Sequence, residues 1–474
     1  MTLDNRKRWL ALVVLCLGEL MIVLDTTIVG VALPSIREDL RFTEATLVWV
    51  VNAYMLTYGG FLLLGGRLGD LYGQRRLFVG GALFFTAASL ACGLATSQWM
   101  LVGARFAQGL GGAVVSSIAL SLIMNLFQEP AERARAMGVY GFVCAAGGSI
   151  GVLVGGLLTS GFNWHWIFLV NLPIGGAVCA SCVALLPDDR PEARGQRLDV
   201  AGAILITLSL MLAIYGIVNG NGAGWVSAQT LGFIGAGVAL FAVFLLVEAF
   251  AKAPLMPLGL FRLRNLSSAS VIGALWSAAM FAWFFLSALY MQLVLGYSPL
   301  HVGLAFLPAN LIMAAFSLGI SAKMVMRFGN RLPLAVGLAL VTVGLALLAL
   351  APVEGNFLLH VLPAMTMLGI GCGMALNPIL LVAMGEVEAS ESGLASGVVN
   401  TAFMLGGSLG LAVLASLSAA RTGDLLAAGT AMPGALHGGY QLAFVFGTIF
   451  AGIAALLSGV LLRAPRLSPS YKGA

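Results

Sequence analysis

Runs of about 18 or more apolar residues recur from one end of this chain to the other, each long enough to cross a hydrocarbon layer about 30 Å thick as a helix. In lipid, backbone N–H and C=O groups have to be paired within the segment, so every run defaults to helix. Only 9% of the residues are charged and 60% are hydrophobic, whereas a soluble domain carries about 25% charged residues. No polar stretch is long enough to build a soluble domain. The chain reads as an all-α polytopic membrane protein.

Spanners fit at about 9–34, 45–65, 77–96, 100–127, 136–160, 164–187, 198–219, 229–250, 266–295, 301–322, 332–352, 357–384, 394–420 and 440–462, fourteen in all. Charge tests the count. With a cytoplasmic N-terminus, 20 of the 24 Lys and Arg fall on the inner side. Arg37, Arg41 and Arg421 fall outside and Arg105 lies within a helix. Cytoplasmic loops attract Lys and Arg, and one missed spanner would swap the side of every later cluster. Both termini are therefore expected in the cytoplasm, and the net charge of +5 belongs to membrane loops rather than to a nucleic-acid surface. The inner loop at 385–393 departs from this pattern, with Glu386, Glu388 and Glu391 and no cation.

One short loop stands out between two apolar runs: Gly66-Arg67-Leu68-Gly69-Asp70-Leu71-Tyr72-Gly73-Gln74-Arg75-Arg76. A degraded copy follows about 256 residues later at Ala322–Arg331, where Lys323 matches Arg67, Gly329 matches Gly73 and Met326 replaces the acid Asp70. A second echo has nearly the same offset. Ala136-Met137-Gly138-Val139 leads to Gly147-Gly148-Ser149-Ile150-Gly151, and Ala395-Ser396-Gly397-Val398 leads to Gly406-Gly407-Ser408-Leu409-Gly410. Two related six-helix bundles are expected, at 1–188 and 266–474, with a pair of linking helices at 189–265. Such repeats are typical of secondary transporters, whose site lies at the repeat interface near mid-membrane.

Glu19 and Asp25 lie inside the first spanner. A charge at that depth costs about 2.5–3.5 kcal/mol on insertion scales, which makes an intramembrane acid a functional candidate. A buried acid escapes the cost by taking up a proton, the property that proton coupling needs. Alternatively, such an acid only hydrogen-bonds a neighbouring helix. Six residues correspond to roughly 240° of helical rotation, so the two acids are expected to have distinct roles. Arg105, in the outer part of the fourth spanner, stands at a depth that suits a pair with Asp25; the alternative is a side chain reaching for the outer headgroups. Gly147, Gly151, Gly155 and Gly156 on the fifth spanner suit close helix approach, either as packing alone or as the seam along which two halves slide. The ninth spanner is dense in rings, and Trp276, Met280, Trp283 and Phe284 are candidates for an adaptable apolar cavity, with core packing as the alternative. Asn52, Tyr54, Tyr58, Gln108, Asn310 and Asn400 are the polar groups expected around it.

The six cysteines all fall inside apolar runs, where they act as small apolar fillers. The four histidines sit at spanner ends or in outer loops. No phosphate-cradling loop or Walker-type lysine is present, so ATP-driven pumping has no support. No metal or cofactor is expected, and the chain has no nucleophile–base constellation that would make it an enzyme.

Taken together, these residues resemble the major facilitator superfamily, and within it the fourteen-helix drug/proton antiporters. Gly66–Arg76 is similar to that family's loop between helices two and three, which implies a cytoplasmic latch formed by Gly66, Arg67, Asp70, Gly73, Arg75 and Arg76. The stretch from Leu101 through Arg105 to Gln108-Gly109-Leu110-Gly111-Gly112-Ala113 is similar to the helix-four motif whose Arg serves proton coupling. Leu24-Asp25-Thr26-Thr27-Ile28-Val29-Gly30-Val31-Ala32-Leu33-Pro34 resembles the first-helix signature of the group. One motif departs: Val152 stands where the antiporter signature of helix five has proline, which restores a backbone N–H. The resemblance implies a monomer that exports hydrophobic or amphipathic small molecules, such as drugs or antibiotics, in exchange for protons by alternating access. The open alternatives are a facilitator driven by the substrate's own gradient and a non-transporting membrane receptor.

Overall fold

The computed structural model describes residues 5–127, 129–186, 199–251, 254, 258–387 and 392–462. Within its helices a few side chains, Arg67 and Asp70 among them, lie outside that description. The elements in order are α1 (Asn5–Leu40), a short α2 (Glu44–Leu47), α3 (Trp49–Tyr72), α4 (Gln74–Gly93), α5 (Gln98–Leu126), α6 (Pro130–Gly161), a short α7 (Trp166–Leu169) and α8 (Asn171–Leu185). Then come α9 (Val200–Ala223), α10 (Ala228–Phe250), α11 (Arg264–Leu289), α12 (Pro299–Ala315), α13 (Ser321–Phe328), α14 (Arg331–Ala349), α15 (Leu362–Met384), α16 (Ser392–Ala427) and α17 (Met432–Leu461). Among the described residues, 12 helices are long and apolar enough to cross a membrane. Two shorter apolar helical stretches, Ile150–Gly161 in α6 and Pro299–Ala315, lie where two more spanners were expected. The first helix runs past its expected end at 34, carrying Pro34 inside it; its added turn is polar and needs no lipid.

Helices α1 to α8 pack chiefly among themselves, as do α11 to α17. The groups meet where α6 lies along α12 and α3 along α16. Helices α9 and α10 pack on each other, and α9 also touches both α3 and α16. Asn221 on α9 donates to the Ser416 carbonyl at 2.7 Å, and Ser416 Oγ donates back to the Ile217 carbonyl at 3.0 Å.

Lipid tails are as apolar as leucine, so close packing of small residues has to hold such helices together. The glycine echoes do this in parallel ways. A Cβ added at Gly151 would meet Thr27 Oγ1 and the Leu24 carbonyl of α1, while one at Gly406 or Gly410 would meet Ala274 or Ala278 of α11. The loop echo is matched in backbone as well. Gly73 ends α3 with φ 97° and Gly329 ends α13 with φ 74°, a region that glycine enters without steric cost.

The stripe expected at a seam between halves divides. Gly147, Gly151 and Gly155 face Leu20, Val23, Leu24, Thr27, Ile28 and Val31 of α1, and only Gly156 of the four meets α12, at Pro299 and Leu300. Spacing of four keeps the first three in one row, and one further residue turns Gly156 by about 100°. Beside it, Gly303 of α12 lies against the Val152 carbonyl and Ser160 Oγ accepts from the Leu300 N–H at 3.2 Å. Helix α6 is continuous through Val152.

Candidate functional site

Asp25 on α1 and Arg105 on α5 form a direct ion pair, with their side chains 0% and 1% exposed. Arg105 Nη1 also donates to Gln108 Oε1 at 2.7 Å, and its Nε donates to the Val50 carbonyl at 2.9 Å. The second carboxylate oxygen accepts from Gln108 Nε2 at 2.7 Å and from Asn171 Nδ2, at the start of α8, at 3.0 Å. Gln108 Nε2 and Asn171 Nδ2 both also reach Ser89 Oγ on α4, at 2.7 Å and 3.4 Å. The guanidinium lies 4.4 Å from the centre of the Tyr54 ring and 5.6 Å from that of Phe168. Helices α1, α4, α5 and α8 thus supply the polar side chains of one cage.

Every named partner of Asp25 donates to it, and an ionised carboxylate is an acceptor only. A proton arriving there turns an acceptor site into a donor, and none of these three N–H groups can accept from it. It also leaves Arg105 buried without its counter-charge, a situation worth about 3–5 kcal/mol when one partner of a buried pair is removed. Protonation therefore cannot leave this cage as it is. The arrangement can convert one proton into a rearrangement of α1, α5 and α8.

Next to the cage is a cavity of about 230 Å³ lined from α1, α3, α6, α11, α12 and α16. Of the residues expected around it, Tyr54, Tyr58, Met280 and Phe284 line it. The others face elsewhere. Gln108 belongs to the Asp25 cage. Asn52 is buried and donates to the Ser408 carbonyl of α16 at 3.1 Å. Trp276 packs edge-on against Phe403, and Trp283 sits behind Phe284 with ring centres 4.4 Å apart. Asn310 is buried away from the cavity, and Asn400 is half-buried and also outside it. Phe281 and Phe285, from the same ring-dense spanner, line the cavity too, and residues that the expectation missed include Val152, Phe306 and Met404. Glu19 and Asp25 do separate: Glu19 lines the cavity and Asp25 does not.

The expected latch is only partly visible. Arg75 Nη2 donates to the Val183 carbonyl at 2.7 Å, Gly73 makes the turn and Arg76 is exposed. Gly66 is half-buried beside Ser117. The side chains of Arg67 and Asp70 lie outside the described residues. Asn171 and Ser89 carried the same signal as the chosen asparagines, a polar group in an apolar run, and depth alone does not say which of these meet.

A family model described as the Major Facilitator Superfamily matches residues 15–411. The chain belongs to the major facilitator superfamily. This superfamily chain is 37% identical to the puromycin resistance protein pur8 of Streptomyces alboniger, over 96% of its own length and 92% of the relative's. It is 36% identical to the cephamycin export protein CmcT of Amycolatopsis lactamdurans, with 97% and 93% covered. Its fold is similar to that of the crystallised POT family transporter PepTSo, with a TM-score of 0.69, 15% identity, and 97% and 98% of the two chains covered. As a member of the superfamily it is an integral membrane transporter built of apolar helices, and not an enzyme.

Proposed function

We propose that this chain exports hydrophobic or amphipathic small molecules, antibiotics among them, in exchange for protons by alternating access. The observation that carries the reading is the Asp25–Arg105 cage beside an apolar cavity where the two helix groups meet. Resistance and export relatives at 36–37% identity support the substrate class. In the proposed cycle, a proton from outside neutralises Asp25 and frees Arg105, and the cavity walls from α1 and α3 shift as substrate leaves. Return of the proton to the inside restores the cage as new substrate binds.

The proposed architecture has fourteen spanning helices, the 12 long apolar ones together with α6 and α12. The bundles are residues 1–188 and 266–474, with 189–265 as the linking pair and both termini cytoplasmic. The grouping of helix contacts and the matched glycines support this division. Gly66, Arg67, Asp70, Gly73, Arg75 and Arg76 form the cytoplasmic latch in this reading, supported by the tight Gly73 turn and the Arg75 bond to α8.

The test is transport into inside-out vesicles under an imposed pH gradient, over a panel of antibiotics and dyes. Asp25→Asn is expected to abolish gradient-driven accumulation while drug binding persists. Unchanged accumulation removes Asp25 from the mechanism. Wild-type transport that ignores the gradient returns the chain to the facilitator reading.

A further inference from the structure

A carboxylate only accepts hydrogen bonds, whereas a protonated carboxyl also donates one. A cage that holds Asp25 in both states therefore needs an acceptor for the extra hydrogen. The N–H groups that reach Asp25 come from Arg105, Gln108 and Asn171. Arginine has no acceptor to offer. The Gln108 carbonyl is already in use, because its Oε1 accepts from Arg105 at 2.7 Å and from the Cys92 thiol at 3.5 Å. The Asn171 carbonyl is not. Its Oδ1 is buried without a hydrogen-bond partner, on a residue that is 0% exposed.

A side-chain amide carries donors on one side and an acceptor on the other, and its last torsion is two-fold, so half a turn exchanges them. In the present orientation Asn171 Nδ2 donates to Asp25 Oδ1 at 3.0 Å and to Ser89 Oγ at 3.4 Å. After the half-turn, Oδ1 stands there instead and accepts from both. Ser89 suits either orientation, since a hydroxyl donates as well as accepts. Charge selects the oxygen that takes the proton. Asp25 Oδ2 faces the Arg105 guanidinium, whereas Oδ1 faces two uncharged amides, so the proton goes to Oδ1. Of the described residues, Tyr54 on α3, Cys92 on α4 and Arg105 on α5 are the titratable or charged groups whose fields meet that of Asp25. Glu19 shares its helix but faces Ser116 and Tyr140.

We propose that Asn171 is the group that accommodates the proton: its amide turns over when Asp25 is protonated, offering an N–H to the carboxylate and a carbonyl to the carboxyl. This rests on Asp25 as the proton carrier. The proton comes from outer water onto Oδ1 and leaves from the same atom to the inside. Asn171 begins α8, which packs on α1 and α4, so the turn-over acts where those helices meet.

The test is infrared difference spectroscopy of the purified full-length protein in lipid, stepped from alkaline to acid pH, with the asparagine side-chain carbonyls labelled with carbon-13. Asn171→Thr, whose hydroxyl both donates and accepts, removes one amide band and so assigns it. In the wild type that band is expected to move to lower wavenumber on acidification, in step with a protonated-carboxyl band that Asp25→Asn lacks. A carboxyl band with no movement of the amide band overturns the proposal and leaves Asp25 as the proton carrier. Absence of the carboxyl band overturns both. Asn171→Leu leaves the carboxylate with Arg105 and Gln108 but the carboxyl with no acceptor, and a buried donor without a partner bears its full desolvation cost. The midpoint of the carboxyl band is then expected to move to acid by about one pH unit, a tenfold loss of proton affinity, while Asn171→Thr stays near the wild type. A leucine midpoint that is unchanged or moves to alkali marks a fixed donor and overturns the proposal. The wild type, Asn171→Thr and Asn171→Leu decide even where Asp25→Asn does not fold.

Discussion

Consider a double-mutant cycle on the buried pair. Asp25→Asn strands Arg105, which keeps its bonds to Gln108 Oε1 and the Val50 carbonyl and its place 4.4 Å from the Tyr54 ring. Arg105→Met strands Asp25, which keeps Gln108 and Asn171 as donors. Breaking a buried ion pair by removing one partner costs about 3–5 kcal/mol. The surviving partners put each single variant at the lower end, about 3 kcal/mol. Independent effects would make the double variant lose about 6 kcal/mol. The cost of each single change is a stranded charge, however, and the double variant strands none, so about 3 kcal/mol or less is expected. Unfolding of the purified protein in detergent, followed by tryptophan fluorescence, gives the four stabilities. Additivity within about 0.5 kcal/mol refutes the reasoning, because the pair would then not be the unit that holds α1 to α5.

Other consequences concern Tyr54 and the glycine rows. Tyr54 lines the cavity and also covers Arg105, so its ring connects cargo to cage. Tyr54→Phe keeps that ring and is expected to transport at nearly the wild-type rate. Tyr54→Ala forfeits a desolvated cation–π contact of about 2 kcal/mol and should lose roughly ten- to thirtyfold in transport; equal rates for the two variants contradict the role. Gly151→Ala puts a methyl against Thr27 Oγ1 and within 2.9 Å of the Leu24 carbonyl, an overpacking cost of about 1–3 kcal/mol. Gly148→Ala meets nothing within 4 Å and is expected to be silent or slightly stabilising in the same unfolding assay.

Much of the fold is legible in the chain because lipid imposes simple rules. Apolar run length marks each helix, and the matched loops mark the repeat that reappears as left-handed turns at Gly73 and Gly329. The matching depth of Asp25 and Arg105 is legible for the same reason, since counting residues from the helix ends gives depth. Rotation is harder. Trp283 and Phe284 are neighbours in sequence, yet about 100° of turn puts one behind the cavity wall and the other in it. A helix that is apolar all round offers no polar face to fix that angle. Gly147, Gly151 and Gly155 show the same limit: their spacing announces a close neighbour, and only the packed structure identifies it as α1. Asn171 and Ser89 enter the cage from helices whose order around Asp25 depends on tertiary packing.

The central claim is that cargo and proton exclude one another through Asp25. Proton release on substrate binding measures this directly, in weakly buffered detergent solution with a pH-sensitive dye and a drug that the vesicles export. The wild type is expected to release protons in proportion to drug bound, and Asp25→Asn to bind the drug with none released. Equal release from both proteins, or none from the wild type, contradicts the account.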